Sequence, residues 1–195
     1  MIQMKKGEKT RDHILKTTRF ILVANGFHNT TISDIIKASG VKKGNLYYHF
    51  ASKEEIGLAV LEDAKEEFFN FLGQSFQGKS PCAKVINSCQ AIFAEQKKNN
   101  FVGGCLFGNA ALEMSDSNHH FSKVIHGVFS RWVEEIDGHL TLAGEDCSFN
   151  SNLSPRLLAK TIVAIIEGGI MMSRVSKDQA DLDDCLAVIG AMFGE

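Results

Sequence analysis

Six side chains in one short stretch carry most of the chemistry this chain can offer. Lys42, Lys43, Asn45, Tyr47, Tyr48 and His49 crowd into VKKGNLYYHF. Lysine ammonium groups can meet phosphates or the O6/N7 edge of a guanine, and an asparagine amide can read a base edge directly. Phenol and imidazole groups can hydrogen-bond phosphates, and Gly44 leaves room for close backbone approach. Thr31 stands upstream, where it can cap a helix and present a hydroxyl and N–H groups to a phosphate. Lys53 has similar reach from the start of the next element. A second reactive point is Cys105, which follows Gly103-Gly104 at an expected helix start. There the helix dipole and free N–H groups would lower a thiol pKa and favour the thiolate. No Lys, Arg or His neighbours it in sequence, so an inert packing cysteine is the competing reading.

These groups need elements to hold them. Residues 31–53, TISDIIKASGVKKGNLYYHFASK, read as a short helix, a tight turn at Gly40 and a second short helix bearing the polar set. That is a helix-turn-helix, whose second helix enters the DNA major groove. Leu46 and Phe50 are expected to be core, with burial of Tyr47 or a local backbone bond for His49 as the plain alternatives. The charge distribution agrees. Residues 1–53 hold ten Lys/Arg against three Asp/Glu, a formal +7, whereas the remainder holds 11 against 20, or −9. A basic head on an acidic body suits electrostatic steering onto phosphates, although the whole chain is only −2.

The rest of the chain reads as all-α, with about nine helices by apolar periodicity. The first is expected over 10–25, closed by Gly26, with Ile14, Leu15, Thr18, Ile21 and Leu22 on one face. Thr31-x-x-Asp34 and Ser52-x-x-Glu55 are capping boxes that open the second and fourth helices. The second helix is expected to pack through Ile32, Ile35 and Ile36. Ser80-Pro81 and Ser154-Pro155 are N-caps followed by proline at the first helical position. Further helices are expected over about 81–98, 103–115, 118–142, 155–175 and 178–193, with 144–152 as a flexible loop. The N-terminus is too polar for a signal peptide, and the most apolar run, 161–172, is too short to span a bilayer. We therefore expect a cytoplasmic protein with no membrane partner.

Five cysteines with no CxxC pair are not read as a disulfide framework or a zinc site, and most are expected to be small buried apolar residues. Neither His119, His120 and His126 nor any other set forms a metal site, and no cofactor is expected. Eleven of the 14 phenylalanines lie beyond residue 53. Phe68, Phe93, Phe107, Phe129 and Trp132 could line an apolar pocket with Cys105, although an ordinary helical core would use them equally well. Glu167 interrupts an apolar helix and is expected to pair with Arg131 or Arg174, with a ligand contact as the second reading.

The head resembles the tetracycline-repressor family of bacterial regulators. The resemblance rests on Gly26-Phe27, Thr30-Thr31, Ile35, Gly40-Val41, Gly44, Leu46, Tyr47, His49, Phe50 and Lys53-Glu54. It is dense over 10–60, while beyond that only helix number and length agree. Ile36 departs from it, standing where alanine is common. The resemblance implies a helix-turn-helix DNA-binding domain over 1–53 and a helical ligand-binding and dimerisation bundle over 54–195. The implied protein is a dimeric repressor that binds double-stranded operator DNA and is released by a small apolar or electrophilic effector. GGCLFGNAALEMSD also looks like a subset whose cysteine responds to electrophiles or oxidants. By the same resemblance the last two helices, with Ile170, Met171, Met172, Leu182, Leu186, Ile189 and Met192, would build the homodimer interface. Two readings of other classes compete: a helical protein-binding module that no longer reads DNA, and a cysteine-dependent scavenger enzyme. The basic pair Lys42-Lys43 speaks against the first. The lack of a sequence-adjacent base for Cys105 speaks against the second.

Overall fold

Ile14, Leu15, Thr18 and Leu22 recur at helical spacing, and in the computed structural model they form the buried face of α1 (Lys6–Asn25). The structure describes residues 6–143 and 153–194, so the loop expected over 144–152 lies outside the described residues. Gly26, at φ +81°, ends α1 and donates its N–H to Leu22 O at 2.9 Å. This left-handed turn is one that glycine adopts without strain.

The expected capping box opens α2 (Ile32–Ser39): Thr31 Oγ1 accepts from Asp34 N at 3.2 Å, and Thr31 N donates to Asp34 Oδ2 at 2.8 Å. Gly40, left-handed at φ +66°, turns the chain toward α3 (Lys43–His49). Ile35 and Ser39 are the buried residues of α2, whereas Ile32 and Ile36 are only half-buried. The box before α4 (Lys53–Ser75) is offset by one residue on its return arm. Ser52 Oγ accepts from Glu55 N at 3.1 Å, but the Glu55 carboxylate takes the Ala51 N–H at 2.6 Å.

Serine–proline starts open α5 (Pro81–Lys98) and α8 (Pro155–Ser176), with Ser80 and Ser154 accepting the N–H groups of Ala83 and Leu157. Between them lie α6 (Leu106–Met114) and α7 (His119–Thr141), the latter capped by Asn118 Oδ1 on His120 N at 3.0 Å. The chain closes with α9 (Ala180–Ala191). Every described element is helical. No helix among the described residues is long and apolar enough to cross a membrane.

The chain forms two compact units. The first comprises residues up to Glu66 together with Leu106–Ile125, and the second comprises Glu67–Cys105 and the residues from His126 onward. In the first, Ile14, Leu15, Ile35, Leu46, Phe50, Ile56 and Phe121 are buried. Phe27 meets Phe121 edge-on with ring centroids 5.0 Å apart, a contact worth about 0.5–1.5 kcal/mol beyond the area buried. Gly57 is required beside them, because a Cβ there would lie 2.6 Å from Phe27 Cε2 and 2.8 Å from Phe121 Cζ.

In the second unit, α5 packs on α8 and α9, and Val85, Cys89, Ile92, Ile162, Ile166, Leu182 and Ile189 of these helices are buried. The close approach of α8 and α9 rests on Gly169, whose added Cβ would stand 2.8 Å from Cys185 Sγ. Three of the residues expected to face a partner are instead internal: Ile170, Leu182 and Ile189 are buried within this unit. On α8 and α9 the large apolar residues that stay exposed are Leu157, Met171, Met172, Val175 and Val188. Among the cysteines, Cys89 is buried and Cys105 and Cys185 are half-buried thiols. Cys82 departs from the sequence reading, for it is disulfide-bonded.

Candidate nucleic-acid interface and effector-domain residues

α3 is short and one-sided. Leu46, fully buried, and Phe50, the residue that ends the helix, anchor it to the core, with the Arg11 guanidinium 5.2 Å above the Phe50 ring. The anchored face leaves Lys42, Lys43, Gly44, Asn45, Tyr47 and Tyr48 exposed around the rest of the helix, with Tyr48 82% accessible. Tyr47 is thus exposed rather than buried, its ring 6.0 Å from Lys43 Nζ. His49 is half-buried and meets Tyr48 edge-on at 5.1 Å. A Cβ at Gly44 would meet nothing, so the backbone is open on that side. His13 on α1 bonds Ser39 O at 2.9 Å and fixes the end of α2 that precedes the turn.

Two expected phosphate contacts are engaged locally. The Thr31 hydroxyl donates to Asp34 Oδ2 at 2.6 Å, as does its N–H, and these bonds hold the Asp34 carboxyl below its ordinary pKa. Lys53 Nζ donates to Phe27 O and Thr30 O, both at 3.0 Å, and lies 4.4 Å from the Phe27 ring centroid. Its ammonium therefore braces the α1–α2 loop, with two of its three donors occupied.

The residues suggested for an effector fall into separate groups. Phe68 and Phe129 flank Trp132, with centroids at 5.1 Å and 6.3 Å. Trp132 is 2% exposed, and its Nε1–H has no hydrogen-bond partner. Phe93 is buried in α5, and Phe107 belongs to the first unit. Cys105 and Glu167 do come together, the thiol donating to the carboxylate. Burial drives the Glu167 carboxyl pKa up, partly offset by that hydrogen bond, and its Oε1 is buried with no partner. No cation contributes to the Glu167 shift, and Arg131, one of the two expected partners, is engaged elsewhere. It bonds Glu135 at 3.5 Å and stacks 4.0 Å from the Phe69 ring. Desolvation without a cation explains the direction of the Glu167 shift. The sequence carried no signal for this pairing, since the two residues are 62 positions apart, Cys105 just before α6 and Glu167 within α8.

Comparison with known proteins matches this arrangement at both ends. Residues 14–60 fit the model of bacterial regulatory proteins of the tetR family, and residues 81–189 fit that of the tetracyclin repressor-like C-terminal domain. The HTH-type transcriptional repressor DhaR of Mycobacterium sp. (strain GP1) is 28% identical over 92% of this chain and 89% of its own. The HTH-type transcriptional repressor NemR of Escherichia coli (strain K12) is 25% identical over 91% of this chain and 90% of its own. A TetR transcriptional regulator from Chloroflexus aurantiacus superposes with a TM-score of 0.88 at 26% identity, covering 96% of each chain. With an exposed basic set on a helix-turn-helix and a helical C-terminal domain both matched at their own positions, the chain belongs to the tetracycline-repressor family of DNA-binding transcriptional regulators.

Proposed function

We propose that this regulator is a cytoplasmic homodimeric repressor, with residues 1–53 reading operator DNA and residues 54–195 dimerising and holding a small effector. The observation that carries the reading is the exposed set Lys42, Lys43, Asn45, Tyr47 and Tyr48 beside buried Leu46 and Phe50. Lys42 and Lys43 supply phosphate or guanine contacts, Asn45 reads a base edge, and Tyr47, Tyr48 and His49 position the backbone. Gly44 allows that backbone close to the groove. Thr31 and Lys53 contribute through helix capping and the loop brace. Leu157, Met171, Met172, Val175 and Val188 offer an apolar face for a two-fold partner, which would set two recognition helices on successive major grooves.

The effector would be apolar and small, enclosed within the second unit by Phe68, Phe129 and Trp132. Trp132 Nε1–H and Glu167 Oε1 offer it one unpartnered donor and one unpartnered oxygen. An electrophile with a carbonyl-conjugated double bond suits Cys105. Glu167, made more basic by burial, takes the thiol proton as sulfur bonds the β-carbon, and that proton then completes the α-carbon. Occupancy would favour a head spacing unlike that of the operator, at a coupling of about 1–3 kcal/mol.

Fluorescence anisotropy of the purified protein with its own upstream DNA, over a salt series and against scrambled DNA, tests the reading. We expect preferential binding with a steep salt slope, weakened by Asn45→Ala at a base and by Lys43→Ala along with the slope. Equal, weak binding to both DNAs would favour a protein-binding module instead.

A further inference from the structure

The α1–α2 loop is held from a second side, by a residue with no part in the expected interface. Glu113, in the last turn of α6, accepts the His28 N–H through Oε2 at 2.9 Å. The His28 ring returns the bond, its Nε2 lying 3.0 Å from Glu113 O. The His28 ring thus meets a C-terminal carbonyl that the end of α6 leaves open, while Glu113 satisfies a backbone N–H in the turn beyond α1. The contact also depends on Gly26, where a Cβ would stand 2.5 Å from Glu113 Oε1. With Thr30 Oγ1 bonding Gly26 O at 2.7 Å and Lys53 on two further carbonyls, the loop has little freedom of its own. It leads directly into Thr31, the cap of α2, and α2 carries the turn into α3. At its other end α6 begins immediately after Cys105.

We propose that the reciprocal Glu113–His28 cap is the link through which α6 sets the position of the helix-turn-helix, making Glu113 a positioning residue for operator recognition. This rests on the DNA-reading function proposed above. A shift or fraying of the α6 C-terminus releases the His28 N–H, and with it the loop that fixes the start of α2. Phosphate attraction does not depend on that geometry, whereas matching side chains to base edges does. Loss of the cap therefore lowers the preference for the operator over other DNA.

The test uses the full chain with Glu113→Ala and Glu113→Gln, the glutamine keeping an oxygen that can accept the His28 N–H. Binding to the protein's own upstream DNA and to scrambled DNA is read by anisotropy, and amide exchange over residues 27–36 by mass spectrometry. Glu113→Ala is expected to weaken upstream-DNA binding by about tenfold while scrambled-DNA binding changes by less than about twofold. Exchange over 27–36 accelerates, and Glu113→Gln restores both properties. Equal losses on both DNAs, unchanged exchange in Glu113→Ala, or a glutamine variant as weak as alanine would each overturn the proposal. A wild type that prefers neither DNA defeats the DNA-reading function instead. Exchange then decides the cap alone, with acceleration supporting it and an unchanged rate overturning it.

Discussion

Alkylation of the native protein separates the three free thiols among the described residues by a margin that the structure sets. Cys89 is buried within α5, and desolvation raises its thiol pKa from 9.0 to about 12. That rise corresponds to about 4 kcal/mol, and so to a thiolate population on the order of a thousandfold smaller than an ordinary thiol's at any pH well below both values. Steric closure adds to this, since Cys89 has no accessible surface. Cys185 is half-buried, but burial and the neighbouring Asp181 and Asp184 also raise its pKa. Cys105 is half-buried and donates its S–H to Glu167, a base placed to take the proton as sulfur attacks, which neither other thiol has. Iodoacetamide at pH 8 without reductant, quenched over time and mapped by peptide mass spectrometry, should label Cys105 first, Cys185 more slowly, and Cys89 only when denaturant unfolds the domain. Labelling of Cys89 at the rate of Cys105 without denaturant would refute the burial argument. Equal slow labelling of all three would remove the chemical basis for an electrophilic effector.

Two further outcomes follow from the packing. Glu167 has a folded pKa above its ordinary 4.5, so the native state holds the proton more tightly than the unfolded chain. Its contribution is therefore most favourable below about pH 4.5 and declines as pH rises toward the folded value, at about 1.4 kcal/mol per unit across that window. Glu167→Gln should raise Tm at pH 8 and flatten that decline, and a lower Tm at pH 8 would contradict it. Gly57→Ala forces a methyl group against two buried rings. We expect a net loss of about 1–2 kcal/mol in urea unfolding, because overpacking outweighs the helix-propensity gain; a stabilised variant would show that the rings yield freely.

Much of the fold was legible in short stretches of sequence because its signals are short-range. The Thr31–Asp34 box, the Ser80-Pro81 and Ser154-Pro155 starts and the Gly26 and Gly40 stops each act within one turn of backbone, and each appears where its residues stand. The same locality exposed the α3 set, since a seven-residue helix anchored by Leu46 and Phe50 leaves the intervening side chains outward. The Ser52 box shows the limit of that logic: its residues were right, but the return arm chose the neighbouring N–H.

Sequence alone thus determined the all-helical order, the helix-turn-helix and the chemistry it displays. Tertiary structure decided which partners the charged groups took. Lys53 met two loop carbonyls, Glu167 met a thiol, and Glu113 met His28 from 85 positions away. It also decided that Ile170, Leu182 and Ile189 face inward while Met171, Met172 and Val175 remain outside. Periodicity reports that a helix face is apolar, but whether that face meets its own core or solvent depends on where distant helices pack.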